Sequence, residues 1–108
     1  MHTKQALAAL AALAQESRLA VFRLLVQVGP DGMAATKIAE HLDLAPSSLS
    51  FHLKELSHAG IVTSRQDGRF IFYAADTKAT SDLVNFLTEN CCGGVPCVAS
   101  ATSDIVGC

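Results

Sequence analysis

Leu44-Ala45-Pro46-Ser47-Ser48-Leu49-Ser50-Phe51-His52-Leu53-Lys54-Glu55-Leu56 decides the reading of this chain. Pro46 suits the first position of a helix, where its missing N–H has no partner to lose. Leu49, Leu53 and Leu56 then recur at spacings of four and three, which places them on one helical face. Ser47, Ser48, Ser50, Phe51, His52 and Lys54 fall on the remaining faces. Serine is a mediocre helix former, so three serines within a turn and a half ask for a reason. Hydroxyls, an imidazole and an ammonium can bond phosphates and base edges in a DNA groove. A solvated helix with a serine-rich first turn explains the same residues, and the stretch alone does not separate the two.

The segment before it is a short third helix from Ala34 to Leu42, with Ile38, Ala39 and Leu42 on one face. Asp43-Leu44-Ala45 joins the two. Helix, three-residue turn, helix is the layout of a helix-turn-helix module, whose second helix reads the major groove. After Leu56, Gly60 is a natural helix stop. Ile61 to Gln66 follows as a strand, Asp67-Gly68 as a hairpin turn, and Arg69 to Ala74 as a β-branched and aromatic return strand. The hairpin, flanked near its tip by Arg65 and Arg69, forms a wing whose arginines can reach phosphates or the adjacent minor groove.

Upstream, Thr3 to Ala14 reads as a first helix of leucines among alanines, and alanines permit close helix approach. Gln15 to Val28 is a second helix, apolar on more than one side and therefore central to the core. Arg18, near its start, is a candidate phosphate contact. Gly29-Pro30-Asp31-Gly32 is a loop with strong breaker chemistry. Downstream, Asp76 to Asn90 is a last helix with an apolar stripe of Leu83, Val84, Phe86 and Leu87, which reaches Cys91 when continued by four. The first and last helices have nothing else to bury against and are expected to pair across a two-fold axis.

The expected fold is thus mainly α with a β-hairpin wing, in the order α-α-α-α-β-β-α. Residues 1–90 form a winged helix-turn-helix for DNA binding and homodimerisation, and residues 91–108 form a cysteine-rich tail. At 108 residues and 11.3 kDa, one domain with a modest core often completed by oligomerising is the expectation. The formal charge of −2 counts against a general electrostatic binder of nucleic acid, but the balance is local. Between Leu44 and Phe70 the bases Lys54, Arg65 and Arg69 outnumber the acids Glu55 and Asp67. From Asp76 onward only Lys78 is basic, against Asp76, Asp82, Glu89 and Asp104. The run Ala6–Ala14 with Ala12-Leu13-Ala14 imitates a signal peptide. It is mostly alanine, however, and Leu7, Leu10 and Leu13 keep a helical spacing. No run approaches transmembrane length, so a soluble cytoplasmic protein with mostly reduced cysteines is expected.

Glu16-Ser17-Arg18-Leu19, the Ser50-Phe51-His52-Leu53-Lys54-Glu55-Leu56 core with Ala59-Gly60-Ile61-Val62, and the Arg65-Gln66-Asp67-Gly68-Arg69 wing together resemble the ArsR/SmtB family of metal-sensing repressors. The resemblance covers roughly residues 6–87. It implies a homodimeric winged-helix repressor of a resistance operon, bound to an inverted repeat of double-stranded DNA and released by a toxic metal or metalloid. On the matching positions, Ser47, Ser48, Ser50, Phe51, His52 and Lys54 face DNA, with Arg65 and Arg69 on the wing. Two site types of that family are missing. The third helix lacks a Cys-x-Cys pair, and the last helix contains no histidine for an interfacial zinc site. His41, His52 and His58 read as solvated, structural or DNA-facing.

All four cysteines lie in the last eighteen residues, at Cys91, Cys92, Cys97 and Cys108. Thiolates select soft ions, and the spacing is wrong for a structural zinc site. Trivalent arsenic and antimony prefer three sulfurs in a trigonal pyramid. Cys91, Cys92 and Cys97 supply three, with Gly93-Gly94 letting the chain turn back. Leu87-Thr88-Glu89-Asn90-Cys91-Cys92-Gly93-Gly94 also resembles the ArsR subgroup that senses trivalent arsenic or antimony through adjacent cysteines after the last helix. Arsenite or antimonite is then the inducer, and no other cofactor is required. Two other readings stay open: a thiol-redox switch on the same DNA-binding module, and a tail that scavenges metal without signalling. No phosphate-cradling loop, acid–base pair or nucleotide motif accompanies these residues, which argues against an enzyme. The serine-histidine-lysine face argues against a module that binds only protein.

Overall fold

The computed structural model of the chain describes residues 1–90 and Gly93. Five helices and three short strands follow in the order α1 (Thr3–Leu13), α2 (Glu16–Val28), β1 (Met33–Ala34), α3 (Ala35–Leu42), α4 (Pro46–His58), β2 (Val62–Asp67), β3 (Phe70–Ala75) and α5 (Thr77–Leu87). The strands form one antiparallel sheet in the order β1-β3-β2. This is the expected winged helix-turn-helix with one element added. β1 pairs Met33 with Tyr73 and Ala34 with Phe72, so the wing is anchored on its far side to the start of the helix-turn-helix. Gly32 makes this approach possible. Its φ is +77°, and a Cβ there would sit 2.5 Å from the Tyr73 carbonyl oxygen, so only glycine fits.

The core lies between α2, α4 and the base of the wing, with Val21, Leu25, Ile38, Leu53, Leu56 and Ile61 fully enclosed. All three leucines of the α4 stripe are buried. In α1 the packing falls one residue from the leucines: Ala6, Ala9 and Ala12 are buried, while Leu7 and Leu10 are exposed. Small Cβ groups let α1 approach α2 and α4 closely, so the bulkier leucines turn outward.

Two helix ends set the geometry of the reading helix. At the end of α3, Asp43 adopts a left-handed conformation with φ +55°. The Leu44 N–H donates to Ala39 O at 3.0 Å and the Asp43 N–H to Glu40 O at 3.4 Å. These two bonds define a Schellman stop, here with aspartate in the place usually taken by glycine. At the end of α4 the same motif recurs with Gly60 at φ +81°. Gly60 donates to Ser57 O and Ile61 to Leu56 O. Leu56 and Ile61 are both buried, which supplies the apolar contact that accompanies such a stop.

The hairpin pairs Asp67 with Phe70, so its two-residue loop is Gly68-Arg69 rather than Asp67-Gly68. Gly68 has φ +66°, as a loop with glycine at its first central position requires. Helix α5 starts on Asp76, whose Oδ1 accepts from the Ala79 N–H at 3.0 Å. It ends at Leu87, three residues before the expected Asn90. Leu83 is buried and Phe86 half-buried, while Val84 and Leu87 are exposed.

Candidate nucleic-acid interface

With its leucine stripe in the core, α4 turns Ser47, Phe51 and Lys54 outward. At about 100° per residue, these three lie roughly opposite Leu49, Leu53 and Leu56. Ser47, Ser48, Ser50, Phe51 and Lys54 are all exposed. The start of the helix is open as well. Ala45 occupies the cap position and has no side-chain acceptor, and Pro46 has no N–H. The first intrahelical bond is from the Leu49 N–H to Ala45 O at 3.0 Å. The Ser47 and Ser48 amides therefore point out of the helix end toward any anion placed there, in the favourable direction of the helix dipole.

His52 departs from the groove-facing position expected for it. It is half-buried on the flank of the helix, and its Nδ1 is enclosed without a hydrogen-bond partner. Burial, followed by the nearby Arg18 charge, lowers its pKa below the usual histidine value. The ring stands edge-on to Phe51, with centroids 5.8 Å apart and planes 65° apart.

The two wing arginines differ. Arg69 lies in the hairpin loop itself and is exposed. Arg65 lies on β2 opposite Phe72. Its guanidinium sits 4.7 Å over the Phe72 ring, and its Nη1 donates to the Asp31 carbonyl oxygen at 2.7 Å. Arg65 is therefore a brace across the sheet, from the outer strand to the loop before β1. Arg18 is also committed. Its Nε donates to Ala12 O at 2.7 Å, which caps one of the last carbonyls of α1. The phosphate contact expected of Arg18 gives way to this joint between α1 and α2.

The structure thus brings five of the six α4 candidates onto one open surface with Arg69 on the wing beyond. His52 moves to a supporting place on the flank, and Arg65 becomes a brace on the surface of the sheet. Cys91, Cys92 and Cys97 lie outside the described residues. Among the described residues, no group of three or more His, Cys, Asp or Glu side chains is placed to hold a metal ion. No helix among them is long and apolar enough to cross a membrane. Three features escape the sequence reading: Asp43 at the turn, the bare cap at Ala45 and the Asp31 acceptor. Gly32 beside Asp31 is the signal that marks the close approach of that loop. The residues around Asp43 and Ala45 carry no comparable one.

Comparison with known proteins points to the same kind of domain. A family model described as "Helix-turn-helix domain" matches residues 13–65. The chain is 33% identical to a putative arsenical resistance operon repressor, ArsR, of Halobacterium salinarum, over 69% of this chain and 57% of that protein. It is 34% identical to the uncharacterised HTH-type transcriptional regulator YceK of Bacillus subtilis, over 64% of this chain and 70% of that protein. Among solved structures, an ArsR-like transcriptional regulator from Rhodococcus superposes with a TM-score of 0.67 at 26% identity, over 78% of this chain and 76% of that one. The chain spans between 57% and 63% of the length of three curated relatives, the Halobacterium repressor among them.

Proposed function

Because the chain belongs to the ArsR-like family of winged helix-turn-helix transcriptional regulators, we propose that it represses a metalloid-resistance operon. In this reading it binds operator DNA as a homodimer and is released when trivalent arsenic or antimony binds Cys91, Cys92 and Cys97. The observation that carries the DNA half is the α4 surface: an open helix start followed by Ser47, Ser50, Phe51 and Lys54 on the side away from the core. Amides and hydroxyls at a helix start position phosphates, and the outward side chains behind them meet base edges.

The sensing half rests on sequence. Three thiols follow α5 within ten residues of Leu87. That helix leaves Val84 and Leu87 exposed, beside an α1 that leaves Leu7 and Leu10 exposed. We assign this apolar face to the partner subunit. A trigonal thiolate site after α5 then lies next to the dimer contact, and capturing an ion there changes how the two reading helices are held. Release requires the ion to favour the non-binding state, and by reciprocity operator DNA must weaken ion binding by the same factor. The arsenical resistance named for the Halobacterium relative agrees with a soft-ion ligand set.

The deciding experiment is an electrophoretic shift with arsenite and antimonite on the wild type and on Cys91→Ser, Cys92→Ser and Cys97→Ser singly. The wild type is expected to leave the DNA and the variants to stay bound. If all three variants still dissociate, the assigned site is wrong. X-ray absorption of the loaded protein should report three sulfurs on the ion. Release by peroxide without metalloid, reversed by reductant, would instead establish the thiol-redox form of the same switch.

A further inference from the structure

On the outward face of α4, Phe51 is the anomaly. Its ring is 54% exposed on a helix whose core stripe is already complete with Leu49, Leu53 and Leu56. It therefore adds nothing to the core. Its neighbours on that face are polar, Ser47 and Ser50 on one side of the turn and Lys54 on the other. The ring is also oriented. His52 stands against it edge-on at 5.8 Å, and the Nδ1 side of His52 is itself enclosed. An exposed aromatic held in one orientation at the centre of a polar reading face is a contact surface with a defined direction.

The major groove offers few apolar partners. Guanine, adenine and cytosine present hydrogen-bond donors and acceptors on their groove edges, whereas thymine presents the C5-methyl group beside its O4 acceptor. A phenyl ring has no hydrogen bond to give and leaves any donor or acceptor it covers unpaired. The methyl is the group it can cover without that loss.

We propose that Phe51 determines specificity by packing on the C5-methyl group of a thymine in the major groove, with His52 as the positioning residue that sets its ring. The proposal rests on the reading of α4 as the recognition helix. Ser47, Ser50 and Lys54 then hold the phosphates and polar edges around that base pair, and Phe51 makes the contact that distinguishes thymine.

The test uses the full chain and a duplex recovered by selection from a random double-stranded library. Each thymine of the selected site is replaced in turn by deoxyuridine, which removes the methyl group and keeps pairing and O4. At one thymine per half-site the wild type should lose about fourfold in affinity, the equilibrium equivalent of burying one methyl-sized group. Phe51→Ala should bind the thymine and deoxyuridine duplexes equally, and Phe51→Leu should keep part of the difference. His52→Ala, checked for unchanged helix content, should shrink the difference; an undiminished difference removes the positioning role. If deoxyuridine costs nothing at every position, or costs the same in Phe51→Ala, methyl recognition is overturned while DNA binding stands. If the wild type selects no duplex at all, the recognition-helix reading falls, and this proposal with it.

Discussion

Arg65 donates from Nη1 to the backbone carbonyl of Asp31 at 2.7 Å, across 34 positions of sequence. The bond runs from the outer strand of the wing over Phe72 to the loop that precedes β1. One wing arginine is thus structural, and the other, Arg69, is exposed in the loop. The two should separate in a salt titration of DNA affinity. Arg69→Ala is expected to reduce the slope of log affinity against log salt by about one, the signature of one lost phosphate contact. Arg65→Ala should leave that slope unchanged and lower stability by about 1 kcal/mol through the lost stacking and hydrogen bond. A reduced slope in Arg65→Ala would show that its guanidinium leaves Asp31 for the phosphate backbone.

The bare cap at Ala45 invites a substitution that sets stability against function. Serine or aspartate there would accept a hydrogen bond from the Ser48 amide and stabilise the fold by about 1 kcal/mol, visible as a raised Tm. That amide, with the Ser47 amide beside it, is the proposed phosphate site. Ala45→Asp places a carboxylate where the phosphate would lie, so its DNA affinity should fall steeply at low salt even as its Tm rises. Ala45→Ser should raise Tm with a smaller loss. If Ala45→Asp binds DNA as well as the wild type, the start of α4 does not meet a phosphate.

Much of this arrangement is legible in sequence because it follows from periodicity and punctuation. Leu49, Leu53 and Leu56 define the buried face of α4, Gly60 ends it, and the aromatic run after Gly68 makes a strand. What is not legible depends on tertiary approach. A two-residue strand such as Met33–Ala34 has no period to detect and exists only because β3 lies beside it. In α1 the leucines and alanines share a spacing, so periodicity cannot say which set faces inward; close helix packing selects Ala6, Ala9 and Ala12. Arg65 and Arg69 look equivalent along the chain. They differ because one stands opposite Phe72 and the other occupies the loop.

The position of His52 links stability to pH. Burial and the Arg18 charge lower its pKa in the folded state, so the unfolded chain binds the proton more readily. Stability then rises with pH through the window between the two values. The His52 contribution is fully present above the unfolded value near 6.5 and is lost as pH falls through the lowered folded value. Urea unfolding between pH 5 and 7.5 should show this rise in the wild type and a flatter profile in His52→Gln. An identical slope in both would mean that other groups carry the pH dependence.

The apolar face shared by α1 and α5 should govern assembly. Leu7 is 61% exposed, Val84 54% and Leu87 56%, and the two helices pack against each other. Burying such side chains fully is worth about 1.5–3 kcal/mol each, and a two-fold contact counts every one of them twice. A charge on this face cannot be accommodated in a dry contact. Leu7→Glu or Leu87→Glu is therefore expected to give a monomer by sedimentation equilibrium with its fold intact by circular dichroism, because neither side chain belongs to the core. Affinity for a two-half-site duplex should fall by about a hundredfold with the loss of linked binding, while affinity for a single half-site should stay the same. A dimer that survives both substitutions would move the two-fold contact to another face and separate the thiol-bearing end of the chain from it.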